Sequence, residues 1–146
     1  MRLSSEMLVQ NFEALEKQIF WLNVSLTECH IIGLKEDYSI DEFGRLETLT
    51  SRFSRSIDFL VRKMFRSIDD YEFESQGTLI DVVNNADKRG LITSVEEIRI
   101  IKDIRNEIVH EYVEEGLLDT FEDVLKHGDR LLEMMQKTAH YCAKVK

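Results

Sequence analysis

The segment Asp103-Ile104-Arg105-Asn106-Glu107-Ile108-Val109-His110-Glu111-Tyr112 gathers side chains suited to phosphoryl chemistry. Histidine exchanges a proton near neutral pH, which makes His110 a candidate acid or base. Arginine stays charged, so Arg105 suits a phosphoryl oxygen on which negative charge develops. Asn106 can orient His110 or a phosphate oxygen through its side-chain amide. On an ideal helix Arg105 and Tyr112 share a face, and so do Asn106 and His110. Arg105 and His110 point about 140° apart. They converge only where the helix ends or kinks, or where two copies of the segment meet across a dimer axis. An amphipathic helix whose polar residues happen to be Arg, Asn and His has the same pattern, and spacing alone does not separate the two readings.

The chain that must position this segment has 146 residues, enough for one domain and too few for two comfortable cores. A domain of this size buries about 70% of the surface its unfolded chain exposes, so it needs no disulfides or metals for support. The 32% charged and 43% hydrophobic fractions exclude disorder. Six glycines and no proline suit long helices better than the many turns of a sandwich or barrel. The net charge of −9 argues against a non-specific DNA coat, though not against a local basic groove. Cys29 and Cys142 form neither a disulfide framework nor a CxxC pair. The opening residues turn acidic and amphipathic at once, and the longest near-apolar stretch, residues 19–26, is well short of the roughly 20 residues of a membrane span. No signal peptide, no membrane association and a cytoplasmic location are expected.

Helical periodicity runs through the sequence. Leu8, Phe12, Leu15, Ile19, Leu22 and Leu26 step by three or four residues and predict a helix over about 5–32, stopped by Gly33. Ser39-Ile40-Asp41-Glu42 has the form of a capping box and opens a second long helix through Phe43, Leu46, Leu49, Phe53, Ile57, Leu60, Met64 and Ile68. Residues 69–77 are polar and predict a loop, and residues 78–89 a shorter helix ended by Gly90. Ser94-Val95-Glu96-Glu97 is a second capping-box pattern, ahead of Ile98, Ile101, Ile104 and Ile108. Asp119 or Thr120 can cap a last helix bearing Phe121, Leu125, Leu132, Met135 and Ala139. The simplest assembly is all-α, a single domain over residues 1–146. It is an antiparallel up-and-down four-helix bundle with one additional short helix.

The second helix is strongly one-sided. At 100° per residue Arg45, Arg52, Arg55, Arg62, Lys63 and Arg66 fall within an arc of about 100°. Six basic against two acidic residues, Glu47 and Asp58, make this stretch +4 inside an acidic chain. A solvated face opposite the core is one reading. The other is a phosphate-facing stripe, since arginine forks match phosphate oxygens.

The pattern Arg105-Asn106-x₃-His110-x-Tyr112 resembles the motif of HEPN domains of the HepT toxin type, and Arg52-Phe53 through Lys63 and Phe65 looks like that family's second-helix signature. The resemblance extends over about residues 5–141. It implies a helical bundle that dimerises with its motif helices near the two-fold, and a metal-independent RNA endonuclease. It further implies a partner, a minimal nucleotidyltransferase (MNT) antitoxin that transfers AMP to the motif tyrosine. On this resemblance Arg105, His110 and Asn106 are the catalytic candidates and Tyr112 the modified residue. Arg52, Arg55, Arg62, Lys63 and Arg66 are the candidate RNA contacts. A non-catalytic, substrate-binding partner subunit of a minimal nucleotidyltransferase is the second function consistent with the family.

Weaker candidates lie elsewhere in the chain. Cys29-His30 and His140-x-Cys142 make a poor zinc set, because adjacent residues on a helix point about 100° apart. Asp69, Asp70, Glu72 and Glu74 lack the glycine and closing glutamate of a calcium loop. With no metal-site spacing and no Gly-rich phosphate loop, neither metal nor cofactor is expected, and the RNA 2′-hydroxyl is the expected nucleophile. His127 reads as a surface residue and Trp21 as core or interface. Residues 111–123 carry six acidic groups and no basic one, which suits a solvated loop or a docking surface for a basic partner.

Overall fold

The described residues of the computed structural model, 2–72, 77–110 and 114–144, form helices joined by short turns, with no strand among them. Helix α1 spans Arg2–Ile32 and buries Leu8, Phe12, Leu15, Leu22, Leu26 and Cys29 along one side. It stops where Gly33 takes a φ of 74°, which L-residues with a Cβ rarely adopt, and the Gly33 N–H closes the last turn on the Cys29 carbonyl at 2.9 Å. Helix α2, Ile40–Phe59, opens on the anticipated box. Ser39 Oγ accepts from the Glu42 N–H at 3.1 Å and the Ser39 N–H donates to Glu42 Oε1 at 3.0 Å.

The predicted unbroken helix to Ile68 is not what forms. After Phe59 the chain makes a π-helical segment, Leu60–Phe65, and only then returns to α3, Arg66–Tyr71. The reason lies in the apolar pattern. In an uninterrupted α-helix Leu60 and Phe65 would point about 140° apart. The i→i+5 pattern of a π-turn brings them round to one side, and Leu60, Met64 and Phe65 are all fully buried. The anticipated loop at 69–77 also begins later. Asp69 is buried on α3 and held by Arg89 Nη1 at 2.6 Å.

Helix α4, Leu79–Lys88, has its own reciprocal cap from Thr78 and Asp81 and ends before Gly90. Helix α5, Val95–His110, carries Arg105, Asn106 and His110 of the motif. Ser94 Oγ accepts from the Glu97 N–H at 3.0 Å, but the Glu97 carboxylate turns inward to His127 and Arg130, so only half of the expected box is made. Helix α6, Glu114–Ala143, starts before the anticipated Asp119 or Thr120 cap, and Thr120 Oγ1 instead donates to the Gly116 carbonyl within it.

Packing joins these elements through one apolar cluster that takes Leu15, Phe53, Phe65, Ala86, Ile101 and Met134 among others. Burying each large member contributes roughly 1.5–3 kcal/mol. Successive links from α1 to α2 and α3 pair Glu28 with Arg45, Ser25 with Arg52 and Asn11 with Ser67, so the two stretches run antiparallel. A Cβ on Gly128 would stand 2.7 Å from Leu26 Cδ2, so this glycine lets α6 lie close against α1. Among the described residues no helix is long and apolar enough to cross a membrane.

Candidate functional site

Helix α5 is anchored by Ile98, Ile101 and Ile104, all buried, which leaves its polar edge toward solvent. Arg105 lies on that edge, and its side chain crosses to α2. Nε and Nη2 donate to Asp58 Oδ2 at 3.2 and 2.9 Å, and Nη1 donates to Asn106 Oδ1 at 3.4 Å. A guanidinium has five N–H donors. Three are used here, so among the described residues one on each terminal nitrogen has no partner. His110 is exposed as the last residue of α5. Among the described residues no hydrogen bond joins it to Arg105. Glu111 and Tyr112, the expected modification residue, lie outside the described residues.

Beside this edge, a groove of ≈ 360 Å³ between α4 and α5 has an apolar side of Leu79, Ile80, Val83 and Val95 and a polar side of Arg99, Lys102, Asp103 and Asn106. Its rim leaves Ile80 71% exposed, and Val109, one turn after Asn106, is 41% exposed.

The basic residues over 45–66 meet different surroundings. The π-segment turns less than 100° per residue, so the arc expected of one regular α-helix does not carry through from Arg52 and Arg55 to Arg62 and Arg66. Arg62 and Lys63 are exposed, whereas Arg66 is half-buried and donates to the Gly77 carbonyl at 3.4 Å. Arg45 is spent on Glu28 and Asp41. Arg52 turns toward α1, where Nη1 donates to Ser25 Oγ at 2.8 Å and to the Trp21 carbonyl at 3.2 Å. Its guanidinium carbon lies 4.9 Å from the centre of the Trp21 ring. Arg52 and Arg55, with Lys17, Gln18, Trp21 and Ser56, line a cleft of ≈ 270 Å³ between α1 and α2. Trp21, expected in core or interface, is half exposed.

Other ionisable groups are committed to the fold. His127 is buried rather than on the surface. Its Nδ1 lies 2.6 Å from Glu97 Oε2, while Arg130 Nη1 holds Oε1 at 2.8 Å. Asp69 and Glu72 both bind Arg89, and Tyr141 donates to Glu72. Burial pushes the Cys29 thiol up to about 11 and Cys142 to about 12. Among the described residues no three His, Cys, Asp or Glu side chains gather to hold a metal ion. Glu74 of the acidic patch lies outside the described residues.

Sequence reasoning missed Asp58 as a partner of Arg105. The signal was present: Asp58 is an acid three and four residues from Arg55 and Arg62 in a basic run. Lys17 and Gln18 left no comparable trace, because their neighbours in the cleft come from another helix. Set beside protein-family models, curated proteins and solved structures, the chain matches none of them, so its own geometry carries the functional reading.

Proposed function

We propose that this chain is a HEPN domain of the HepT toxin type, the toxin of a HEPN/MNT toxin–antitoxin pair and a metal-independent RNA endonuclease. In this proposal α1, α2 with its π-segment and α3, α5, and α6 make an antiparallel four-helix bundle, α4 is the additional short helix, and the protein acts in the cytoplasm. The observation that carries the reading is the state of Arg105. Asp58 orients it from outside the motif, and two of its N–H groups, which have no partner among the described residues, can meet a phosphate. The supporting feature is His110 at the very end of α5, where a second copy can reach it.

In the proposed reaction His110 takes the proton of the RNA 2′-hydroxyl as that oxygen bonds to phosphorus. Arg105 steadies the charge that builds on the phosphoryl oxygens. The bond from phosphorus to the 5′-oxygen breaks, the leaving oxygen takes up a proton from a histidine or water, and a 2′,3′-cyclic phosphate is left. Asn106 positions Arg105 or the substrate phosphate. Two motif helices meet in a homodimer, which supplies the Arg105–His110 convergence that one helix does not. The exposed apolar side chains of Ile80 and Val109 support that assembly. The partner nucleotidyltransferase neutralises the toxin by attaching AMP to Tyr112.

The test is RNA cleavage by purified protein in excess chelator, with Arg105→Ala and His110→Ala beside it. Cyclic-phosphate ends made by the parent and lost in both variants are the expected result. Activity that vanishes on chelation and returns with magnesium overturns the mechanism. A second reading, a non-catalytic partner subunit of the nucleotidyltransferase, is favoured by exposed Asp119, Glu122 and Asp123 on α6, which repel RNA. No cleavage together with stable nucleotidyltransferase binding would select it.

A further inference from the structure

We infer that the cleft between α1 and α2 is a nucleotide-unit site, which binds a phosphate and lays the attached base on its aromatic rim. Three of the six residues lining it are cations, Lys17, Arg52 and Arg55, and none is a carboxylate. In a chain of net charge −9 such a concentration is local and uncompensated. Among the described residues neither Lys17 nor Arg55 has an ion-pair partner, in contrast to Arg45 and Arg105. Arg52 is already fixed by Ser25, the Trp21 carbonyl and the Trp21 ring, so its charge is preorganised and little side-chain entropy is lost on binding.

Trp21, which lines the cleft, is 50% exposed, and its ring meets that of Phe20, 57% exposed, edge to face with centroids 4.9 Å apart. Adjacent exposed rings beside arginines are the combination that holds single-stranded nucleic acid, since a base of any identity offers a π-face and its phosphate meets the cations. Gln18, on the cleft wall, has a sheltered Oε1 with no hydrogen-bond partner. The cleft lies on the α1 side of α2, whereas Asp58 meets Arg105 on the α5 side, so the two are separate and this site stands whether or not Arg105 cuts RNA.

The ligand is either a segment of single-stranded RNA or a free nucleotide, which share this chemistry. Trp21 is the single tryptophan of the chain, so its emission reports this cleft directly. The full chain is titrated at low salt with a non-cleavable 2′-O-methyl RNA of about six nucleotides, within the usual range of single-strand sites, and separately with AMP. Saturable quenching that weakens with salt is expected, and Lys17→Ala with Arg55→Ala should raise the midpoint by about tenfold or more. Quenching by the oligomer alone assigns the site to RNA, and equal quenching by AMP assigns it to a free nucleotide. Arg105→Ala, which removes the proposed cleavage residue, retains the quenching, so failure of the cleavage reading is distinguishable from failure of this one. No quenching by either ligand, or quenching unchanged in the double variant with native helix content, overturns the site. So does a Trp21 already shielded from iodide in the ligand-free protein, which would mean that another chain covers the rim.

Discussion

Arg105 and Asp58, 47 residues apart in sequence, are joined by two hydrogen bonds of 3.2 and 2.9 Å to one carboxylate oxygen. The pair ties the motif helix to α2 at the surface, with side chains 32% and 40% exposed. Exposed pairs of this kind contribute about 0–1 kcal/mol to stability. Arg105→Ala should therefore leave the melting temperature nearly unchanged while cleavage falls by about 10²–10³-fold, as for loss of a charge-stabilising donor. Asp58→Ala should lower kcat more than it changes KM, and Asp58→Asn, which keeps an acceptor, should recover most of the loss. A kcat equal to the parent's in all three variants would remove Arg105 from the chemistry.

Two exposed apolar side chains bear on assembly. Ile80 and Val109 are exposed at 71% and 41%, so an aspartate at either position is tolerated by the monomer fold. In an interface it would bury an unpaired charge, which costs several kcal/mol. Ile80→Asp and Val109→Asp should shift sedimentation from dimer to monomer at micromolar concentration and abolish cleavage together. A parent protein that is monomeric and active rules out a composite site.

Tyr112 follows His110 by two residues. Co-expression with a cognate minimal nucleotidyltransferase should add mass in steps of one AMP, and Tyr112→Phe should escape it. An added phosphate carries negative charge toward Arg105 and neutralises the charge that RNA needs. Unchanged intact mass, with Tyr112→Phe neutralised equally well, would show that any silencing of this chain works by binding alone.

Glu97 is the buried anchor between α5 and α6, with His127 and Arg130 on its two oxygens. Removing Glu97 leaves His127 buried without its partner, and breaking a buried pair costs about 3–5 kcal/mol. Urea denaturation of Glu97→Ala should show a loss of that size. Arg130→Ala, whose side chain is 46% exposed, should lose much less. A Glu97→Ala midpoint equal to the parent's would mean that the cluster is solvated in solution.

The two cysteines give a pH signature. In the unfolded chain a thiol ionises near its ordinary 9.0, whereas the fold holds Cys29 protonated up to about 11 and Cys142 up to about 12. Between these limits the unfolded state sheds protons that the native state retains, so stability falls as pH rises from about 9 toward 12. Cys29→Ala with Cys142→Ala should flatten that slope. Thiol reagents at neutral pH should label the parent only on unfolding, and rapid labelling of the native protein would contradict the burial.

Much of this architecture is local and therefore legible in the sequence. The three- and four-residue apolar steps of α1, the Ser39–Glu42 box and Gly33 each depend on neighbours within a turn, and each forms where its residues predict. The place of Arg105, Asn106 and His110 on α5 is legible for the same reason. What the sequence could not determine is rotation and partnership. The π-segment arises because Phe65 must reach a core built by other helices, and that demand, invisible to a fixed 100° step, splits the arginine stripe. Asp58 becomes the holder of Arg105, Glu97 leaves its cap for His127, and Lys17 and Trp21 meet Arg52 and Arg55 only because packing brings separate helices together. Side-chain identity and spacing set which chemistry is available. The free energy of burying the apolar faces together decides which charged groups meet.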